Sequence, residues 1–198
     1  MPVTFHLIRH GETDMVGHAL AGRAPGVPLN AHGRRQAGAV AAGLAATRLA
    51  AVVSSPRERA VQTAGPLAAR QGLTVQVDPG FEELDFGDWT GAAFTSLDGS
   101  PDWHAFNVFR STAPIPGGET ALAVQARAVA AVCRWAALHP DADIAIVSHG
   151  DVLRAVLAHF LAVPLDLARR FDIAPAHRSV LVLYEADVRV EALNLPPG

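Results

Sequence analysis

The stretch TFHLIRHGET, residues 4–13, decides how the rest of the chain is interpreted. Phe5, Leu7 and Ile8 make a short apolar run that is typical of a buried strand. Arg9 and His10 follow directly, at the carboxyl end of that strand, where open α/β sheets bind their ligands. A guanidinium beside an imidazole at this edge indicates an anion held close to a potential nucleophile.

The composition indicates one globular domain. The chain has 198 residues, half of them hydrophobic, and a mean hydropathy of +0.22, which favours a substantial core over global disorder. Sixteen basic and nineteen acidic residues give a net charge of −3, which excludes a strongly basic nucleic-acid surface. All sixteen basic residues are arginine, so Schiff-base chemistry and a lysine-bearing phosphate loop are also excluded.

The single cysteine and the N-terminus carry information about location. Cys133 cannot form an internal disulfide, and its Ala/Val-rich helical surroundings predict a small buried side chain rather than a nucleophile. The N-terminus lacks a basic region followed by an apolar segment, and no apolar run approaches about 18 residues. We therefore expect a soluble, cytoplasmic protein with no membrane partner.

Short β-type runs alternate with longer helical stretches along the chain. Predicted strands lie at residues 5–8, 49–54, 73–77, 144–147, 179–184 and 188–193. Predicted helices lie at residues 31–47, 57–71, 102–110, 119–139 and 151–161. This alternation predicts an α/β fold, a three-layer α/β/α arrangement with a mainly parallel central sheet. We expect a single domain over residues 1–198, with an irregular, lid-like middle segment at residues 81–118.

Two of the predicted strands end in the same pattern, RHG at residues 9–11 and SHG at residues 148–150. In each, a glycine after the histidine lets the backbone come close to a ligand. If these strands are neighbours, both imidazoles face one pocket. A third strand, ending near residue 54, brings Arg57 and Arg59 to the same edge.

A pocket with two histidines and several arginines suits a phosphoryl group. Arginine makes bidentate, permanently charged contacts to phosphate oxygens, and a neutral imidazole can attack phosphorus. A general acid for the leaving oxygen is still needed, and the carboxylates of residues 82–85 are available. The histidines lack the spacing of a metal site, so we expect neither a metal nor another cofactor.

Six stretches, in their order along the chain, resemble the histidine phosphatase superfamily, also called phosphoglycerate mutase-like. They are residues 9–13, 28–37, 54–64, 83–91, 116–119 and 147–154. The resemblance covers nearly the whole chain, from Leu7 to about Leu183. It implies a phosphoglycerate mutase-like fold and a phosphatase that works through a phosphohistidine.

The resemblance also implies a role for each site residue. His10 is the nucleophile that becomes phosphorylated, and Glu83 is the proton donor and later the base that activates water. Arg9, Arg59 and His149 bind the phosphoryl group, and His149 is counted with the catalytic residues. Gly11 and Gly150 are expected to bind the substrate because a glycine lets the backbone approach a ligand, and Arg23 is expected there as a replacement contact.

Two of these choices depend on the position of a residue within its motif. Arg59, rather than Arg57, immediately precedes an alanine, as the family's arginine does, and Arg57 is expected at the surface or as an extra anion contact. Glu83, rather than Glu82, stands four residues before Gly87, as the family's acid does.

The chain departs from the family pattern just beyond its first motif. Met15 and Val16 replace the usual Trp-Asn, which puts a secondary phosphate contact in doubt. The backbone of Gly17 or the side chain of Arg23 could replace that contact.

Other candidates have two readings from sequence. His177 is expected to be structural, although it faces the pocket in some arrangements. Trp89 is expected to anchor the core, and Trp103 and Phe106 are either lid residues that touch the substrate or simple packing residues.

We expect a metal-independent phosphomonoester hydrolase (EC 3.1.3 class) that acts on a small phosphorylated metabolite through His10. The alternatives are a cofactor-dependent phosphoglycerate mutase-type phosphotransferase and a non-catalytic phosphate-binding protein. Only about 25 residues separate Gly91 from Pro116, and Asp151 rather than Asn follows Gly150, which both favour a phosphatase. The substrate and the oligomeric state stay open; the closing strand pair or the helix at 119–139 could bury a homodimer face.

Overall fold

A six-stranded sheet forms the centre of the computed structural model, which describes residues 2–197. Its strands are β1 Val3–Arg9, β2 Leu49–Ser54, β3 Val75–Val77, β4 Asp143–Ser148, β5 Arg178–Leu183 and β6 Val188–Leu195. They lie in the order β3-β2-β4-β1-β5-β6. The four strands from β3 to β1 run parallel, whereas β5 and β6 are antiparallel to their neighbours. The expectation of a mainly parallel sheet is confirmed.

Helices cover both faces of the sheet, as expected for three layers. They are α1 Ala31–Gly43, α2 Glu58–Gln71, α3 Phe94–Leu97, α4 Pro101–Val108, α5 Ala121–Leu138 and α6 Gly150–Phe160. Short 3-10 helices lie at Pro79–Phe81, Gly87–Trp89 and Leu165–Arg170. One hydrophobic core packs α1 and α2 against the sheet, and a larger one packs α5 and α6 against the other face.

The alternation of side chains along β1 supplies both cores. Phe5 and Leu7 belong to the core on the α5 and α6 side, and Ile8 belongs to the core under α1 and α2. His6 shares the face of Ile8 and is buried, with its Nε2 atom 3.1 Å from Oδ1 of Asp143. Both faces of β1 are therefore buried, and His6 is the one polar side chain among Phe5, Leu7 and Ile8.

The ends of the first two helices follow local rules that are readable from sequence. The Asn30 side chain accepts a hydrogen bond from the Gly33 backbone N–H and caps α1. Gly72, with φ of 66°, ends α2 in the left-handed conformation that favours glycine. α1 stops at Gly43, four residues before its expected end at Thr47.

The middle segment, residues 81–118, contains more helix than expected and packs around an aromatic cluster. The ring of Trp103 meets that of Trp89 edge-on at 5.5 Å and stacks on that of Phe106 at 5.8 Å. Trp89 is 8% exposed, so its predicted place in the core is confirmed. Phe106 is completely buried, so its role is packing and not contact with a substrate.

Among residues 2–197, α5 is the one helix that is long and apolar enough to cross a membrane, judged by length and composition alone. Its inner face, which includes Val124 and Ala128, is buried in the larger core, as in core helices that pass the same test. Cys133 lies on the outer face and is exposed, so the expectation of burial is wrong. It follows Val132, which points inward, and a helix turns about 100° per residue.

Gly33 offers a test of how α1 supports the loop after β1. A Cβ at Gly33 would collide with the backbone of Glu12, whereas a Cβ at Gly38, on the exposed side of the same helix, would meet nothing within 4 Å. We expect Gly33→Ala to lower the free energy of unfolding by about 2–3 kcal/mol through overpacking. Gly38→Ala should raise it by about 0.5–1 kcal/mol, because alanine favours helix. Urea unfolding measures both, and a stabilised Gly33→Ala would contradict this view of the contact.

Candidate active site

Two neighbouring strands place the two motif histidines side by side. β1 and β4 pair in parallel with Arg9 opposite Ser148, so the next residues, His10 and His149, leave the sheet together. Their rings lie 5.2 Å apart, centroid to centroid, at an interplanar angle of 61°. The strands are neighbours, as expected, but of the two histidines only His10 lines the cavity, and His149 is buried beside it.

His10 is held as a neutral imidazole with one nitrogen available. Its Nδ1 atom lies 2.7 Å from the Gly11 carbonyl oxygen; a carbonyl only accepts, so Nδ1 carries the proton. Nε2 therefore has the lone pair, and Arg59 Nε donates to it at 3.3 Å. Burial lowers the pKa of His10 well below its usual value, and the charges of Arg59 and Arg9 lower it further.

Arg59, near the start of α2, is the largest fully buried side chain and links the parts of the site. Its Nη2 atom donates to the Gly22 carbonyl at 2.8 Å and lies 3.2 Å from Nδ1 of His149. Its own carbonyl accepts a hydrogen bond from the Thr63 hydroxyl, which in turn accepts one from Gly11 N–H. The start of α2 and the loop after β1 are thus joined directly.

The two motif glycines serve different neighbours. A Cβ at Gly150 would lie 3.4 Å from the Arg9 guanidinium carbon, an ordinary van der Waals contact, and Gly150 lines the cavity beside Arg9. A Cβ at Gly11 would lie 2.7 Å from the Gly33 carbonyl oxygen. Gly11 does not line the cavity, so its place is explained by contact with α1 rather than with a ligand.

His149 is fully buried between a hydroxyl and a carboxyl group. Its Nε2 atom lies 2.6 Å from the Ser55 hydroxyl oxygen, and its Nδ1 atom lies 3.5 Å from Oε2 of Glu83. Because a guanidinium group can only donate, Nδ1 of His149 accepts from Arg59. The proton of the neutral ring is therefore on Nε2, where it points to the Ser55 hydroxyl oxygen. Burial, followed by Arg59 and His10, lowers the pKa of His149 well below its usual value.

Glu83 is the acidic residue that lies beside His149 and Arg59. Its carboxyl group is 3.5 Å from His149 and 4.0 Å from Nη2 of Arg59. Burial, with a further contribution from the negative charge of Asp151, raises the pKa of Glu83 from 4.5 to about 7. Glu82 points elsewhere and forms an ion pair with Arg57 at 2.6 Å.

A pair of arginines holds Glu83 from behind. The Glu83 carbonyl oxygen accepts hydrogen bonds from Nε of Arg23 at 2.9 Å and from Nη2 of Arg127 at 3.2 Å. The carboxylate of Glu119 binds both guanidinium groups, at 2.9 Å and 2.7 Å. Arg23 does not line the cavity, so the structure gives no support to its expected contact with the substrate. Its carboxylate partners hold it behind Glu83 instead.

Two further sequence candidates lie outside the cavity. Arg57 is partly buried between Glu82 and the Arg23 carbonyl, so it is neither a free surface residue nor part of the cavity wall. His177 has its Nδ1 atom 3.0 Å from the Pro175 carbonyl oxygen, and its own carbonyl accepts from Arg9 N–H at 3.1 Å. Its contacts are those of a structural residue.

The site opens into a cavity of about 240 Å³. Arg9, His10, Arg59 and Glu83 line it together with apolar side chains, namely Met15, Val16, Leu20, Phe86, Phe94 and Trp103. Of the two lid candidates, Trp103 lines this cavity. Met15 and Val16 form part of its wall at the position where the sequence lacks the usual Asn.

A polar part of the same wall was not assigned from sequence. It consists of Asn107, Arg110, Asp151, Arg154 and Arg169. In the sequence, Arg154 belongs to the last motif and Asp151 to a helix start, and neither signal places the side chain in the cavity. The other three lie in segments without a motif, so nothing in the sequence identifies their destination. Among residues 2–197, no group of three or more His, Cys, Asp or Glu side chains is arranged to hold a metal ion.

Comparison with known proteins adds independent information. The family model of the histidine phosphatase superfamily (branch 1) matches residues 5–196. Over 170 residues, 34% are identical to a glucosyl-3-phosphoglycerate phosphatase of Mycobacterium tuberculosis, a match that covers 80% of this chain and 75% of that protein.

Solved structures of two phosphatases show the same architecture. A mycobacterial glucosyl-3-phosphoglycerate phosphatase superposes with a TM-score of 0.88 at 29% identity, over 98% of this chain and 100% of the other. An α-ribazole phosphatase from Shigella flexneri gives 0.85 at 28% identity, over 98% and 96%.

The raised pKa of Glu83 can be measured directly. In a carbon-13 NMR titration of the side-chain carboxyl groups, we expect Glu83 to titrate near 7 in the empty protein. Asp151→Asn should lower this pKa, because it removes a negative charge that disfavours ionised Glu83. Asp98→Asn, at an exposed position, is the control and should change nothing. Titration of wild-type Glu83 near 4.5 would contradict the burial argument.

Proposed function

The chain belongs to the histidine phosphatase superfamily and is a phosphomonoester hydrolase, and on that premise we propose that it acts through a phosphohistidine at His10 on small phosphorylated metabolites. The observation that carries the proposal is the state of His10. Its Nδ1 proton is committed to the Gly11 carbonyl, and its Nε2 lone pair lies beside the buried Arg59.

In the first step, Nε2 of His10 attacks phosphorus and the bond to the leaving oxygen breaks. Arg9 and Arg59 bind the phosphoryl oxygens and stabilise their charge. The bound dianion favours the protonated form of His149, whose added positive charge then helps to stabilise the phosphoryl oxygens. Glu83, with a pKa of about 7, gives its proton to the leaving oxygen, so an alcohol departs and a carboxylate stays behind.

In the second step, the Glu83 carboxylate takes a proton from water while the water oxygen attacks phosphorus. The P–N bond to His10 breaks, its electrons return to Nε2, and phosphate is released. Glu83 and His10 are then in their starting states. The guanidinium groups supply the positive charge in both steps, which is why we propose that the reaction needs no metal ion.

The cavity supports a small substrate with one apolar face. Its volume of about 240 Å³ accommodates a phosphoryl group and a small leaving group, and Trp103 and Met15 offer that group an apolar surface. The relatives named above carry names that describe phosphatases of small phosphorylated metabolites, glucosyl-3-phosphoglycerate and α-ribazole phosphate.

Location and assembly remain predictions. We propose a cytoplasmic enzyme without nucleic-acid or membrane partners, in keeping with its net charge of −3. Both faces considered for a homodimer expose leucines: Leu122 and Leu138 on α5, and Leu193 and Leu195 on β6.

Hydrolysis of p-nitrophenyl phosphate tests the role of His10. We expect His10→Ala to lower kcat by at least about 10³-fold, because it removes the nucleophile. The exposed His18→Ala is the control and should keep the wild-type rate, and a chelator should leave that rate unchanged. Equal rates for wild type and His10→Ala, or no hydrolysis by either, would contradict the proposal. Rapid conversion of 3-phosphoglycerate to 2-phosphoglycerate in the presence of a bisphosphoglycerate primer would favour a mutase.

A further inference from the structure

We propose that Asn194 is a positioning residue for the phosphoryl-binding site, because it fixes the peptide group that holds the guanidinium of Arg9. This inference rests on the proposed function, in which Arg9 binds the phosphoryl oxygens. Asn194 belongs to β6, the strand at the edge of the sheet, and it does not line the cavity. Any effect of Asn194 on the reaction therefore passes through other residues.

The guanidinium of Arg9 is held by one hydrogen bond. Its Nη1 atom donates to the carbonyl oxygen of Ile173 at 2.6 Å, and among residues 2–197 the Arg9 side chain makes no other hydrogen bond. Its Nε atom is buried and has no partner within the same residues. The direction of the Ile173 carbonyl thus decides where this guanidinium group points.

The same peptide group is held on its other side by Asn194. The Ile173 carbonyl and the Ala174 N–H belong to one trans, planar unit, in which they point in opposite directions. The Ala174 N–H donates to Oδ1 of Asn194 at 2.8 Å. Because the unit is planar, a rotation that breaks the bond to Asn194 also turns the carbonyl away from Arg9. The two hydrogen bonds polarise the peptide in the same sense, so each strengthens the other.

A β-bulge and a left-handed backbone conformation aim Asn194 at this peptide. In the pairing of β5 with β6, one extra residue of β6 is inserted opposite Ser179. Asn194 lies in this bulge with φ of 55°, a conformation that asparagine adopts more readily than most residues. Its backbone N–H donates to the Ser179 hydroxyl oxygen at 3.1 Å, which anchors the bulge. The direction of the Asn194 side chain is thereby fixed.

The backbone that carries the nucleophile is held by other bonds of the same loop. The Ala176 N–H donates to the carbonyls of Arg9 and His10 at 3.0 Å and 3.1 Å. The Arg9 N–H donates to the His177 carbonyl at 3.1 Å. Loss of the Asn194 contact should therefore displace the Arg9 guanidinium and leave the backbone of His10 in place.

Hydrolysis of p-nitrophenyl phosphate and its competitive inhibition by inorganic phosphate test the proposal. Asn194→Gly keeps the left-handed backbone without steric strain but removes the acceptor. We expect it to lower kcat/KM by about tenfold or more and to raise the inhibition constant of phosphate, because a small displacement of a binding group has a large effect on rate.

Two further variants separate the hydrogen bond from the backbone conformation. Asn194→Asp keeps an acceptor oxygen and tolerates a positive φ, so it should retain about half or more of the wild-type kcat/KM. Asp141→Gly removes the side chain of an exposed residue with φ of 58° and is the matched control, which should behave as wild type. A loss in Asn194→Asp as large as that in Asn194→Gly would overturn the role of the acceptor.

A double-mutant cycle with Arg9→Gln shows whether Asn194 acts through Arg9. In the Arg9→Gln background, Asn194→Gly should change kcat/KM by less than about twofold, because the guanidinium group that it orients is gone. An equal loss in both backgrounds would overturn the proposal. Wild-type kcat/KM and wild-type phosphate inhibition for Asn194→Gly would also overturn it, and lower stability in urea unfolding would then assign Asn194 a purely structural role.

Failure of the proposed function has a different signature. Wild-type protein that hydrolyses no p-nitrophenyl phosphate would contradict the phosphatase mechanism and leave the positioning of Arg9 to be measured by binding. In that case, calorimetry gives the dissociation constant of inorganic phosphate for wild type and Asn194→Gly. Weaker binding by the variant would support the positioning role, and equal constants would overturn it.

Discussion

The parallel pairing of β1 with β4 is the constraint on which the site depends. The register that sets Arg9 opposite Ser148 makes both strands end at the same level, so that His10 and His149 emerge together. Arg59 arrives from the start of α2, and Glu83 from the segment after β3. A slip of one residue would turn every side chain of β1 to the opposite face and would separate the two imidazoles. The chemistry is therefore fixed by a backbone ladder, while the side chains that perform it come from four separate parts of the chain.

Burial then sets the charges of the assembled groups. Both imidazoles lose solvent and face arginines, which holds their pKa values low and keeps His10 able to attack phosphorus. The same burial raises the pKa of Glu83 to about 7, so that it can give and take a proton near neutral pH. Glu119 contributes indirectly, because it holds the two guanidinium groups that bind the Glu83 carbonyl. Burial is costly for isolated charges, but it strengthens the attraction between the arginines and a bound phosphoryl dianion.

Local signals in the sequence predict the strands, and the order of motifs predicts that His10, Arg59 and Glu83 meet in the cavity. Side-chain destinations that depend on tertiary packing were less accessible. The apolar neighbours of Cys133 predict burial, but its position on α5 turns it outward. Arg23 was expected at the substrate, but the carboxylate of Glu119, nearly a hundred residues later, holds it behind Glu83. Arg110, in the middle segment, and Arg169, in the 3-10 helix at Leu165–Arg170, belong to no motif, and only tertiary packing brings them to the cavity.

The central claim is that the phosphoryl group passes through Nε2 of His10. Rapid quenching of the enzyme during turnover of a phosphorus-32-labelled substrate, followed by peptide mapping, tests it most directly. The account predicts protein-bound phosphate that is labile to acid and stable to base, located on the peptide that contains residues 4–13 and absent from His10→Ala. Turnover without any such phosphoenzyme, or a label on another residue, would contradict it.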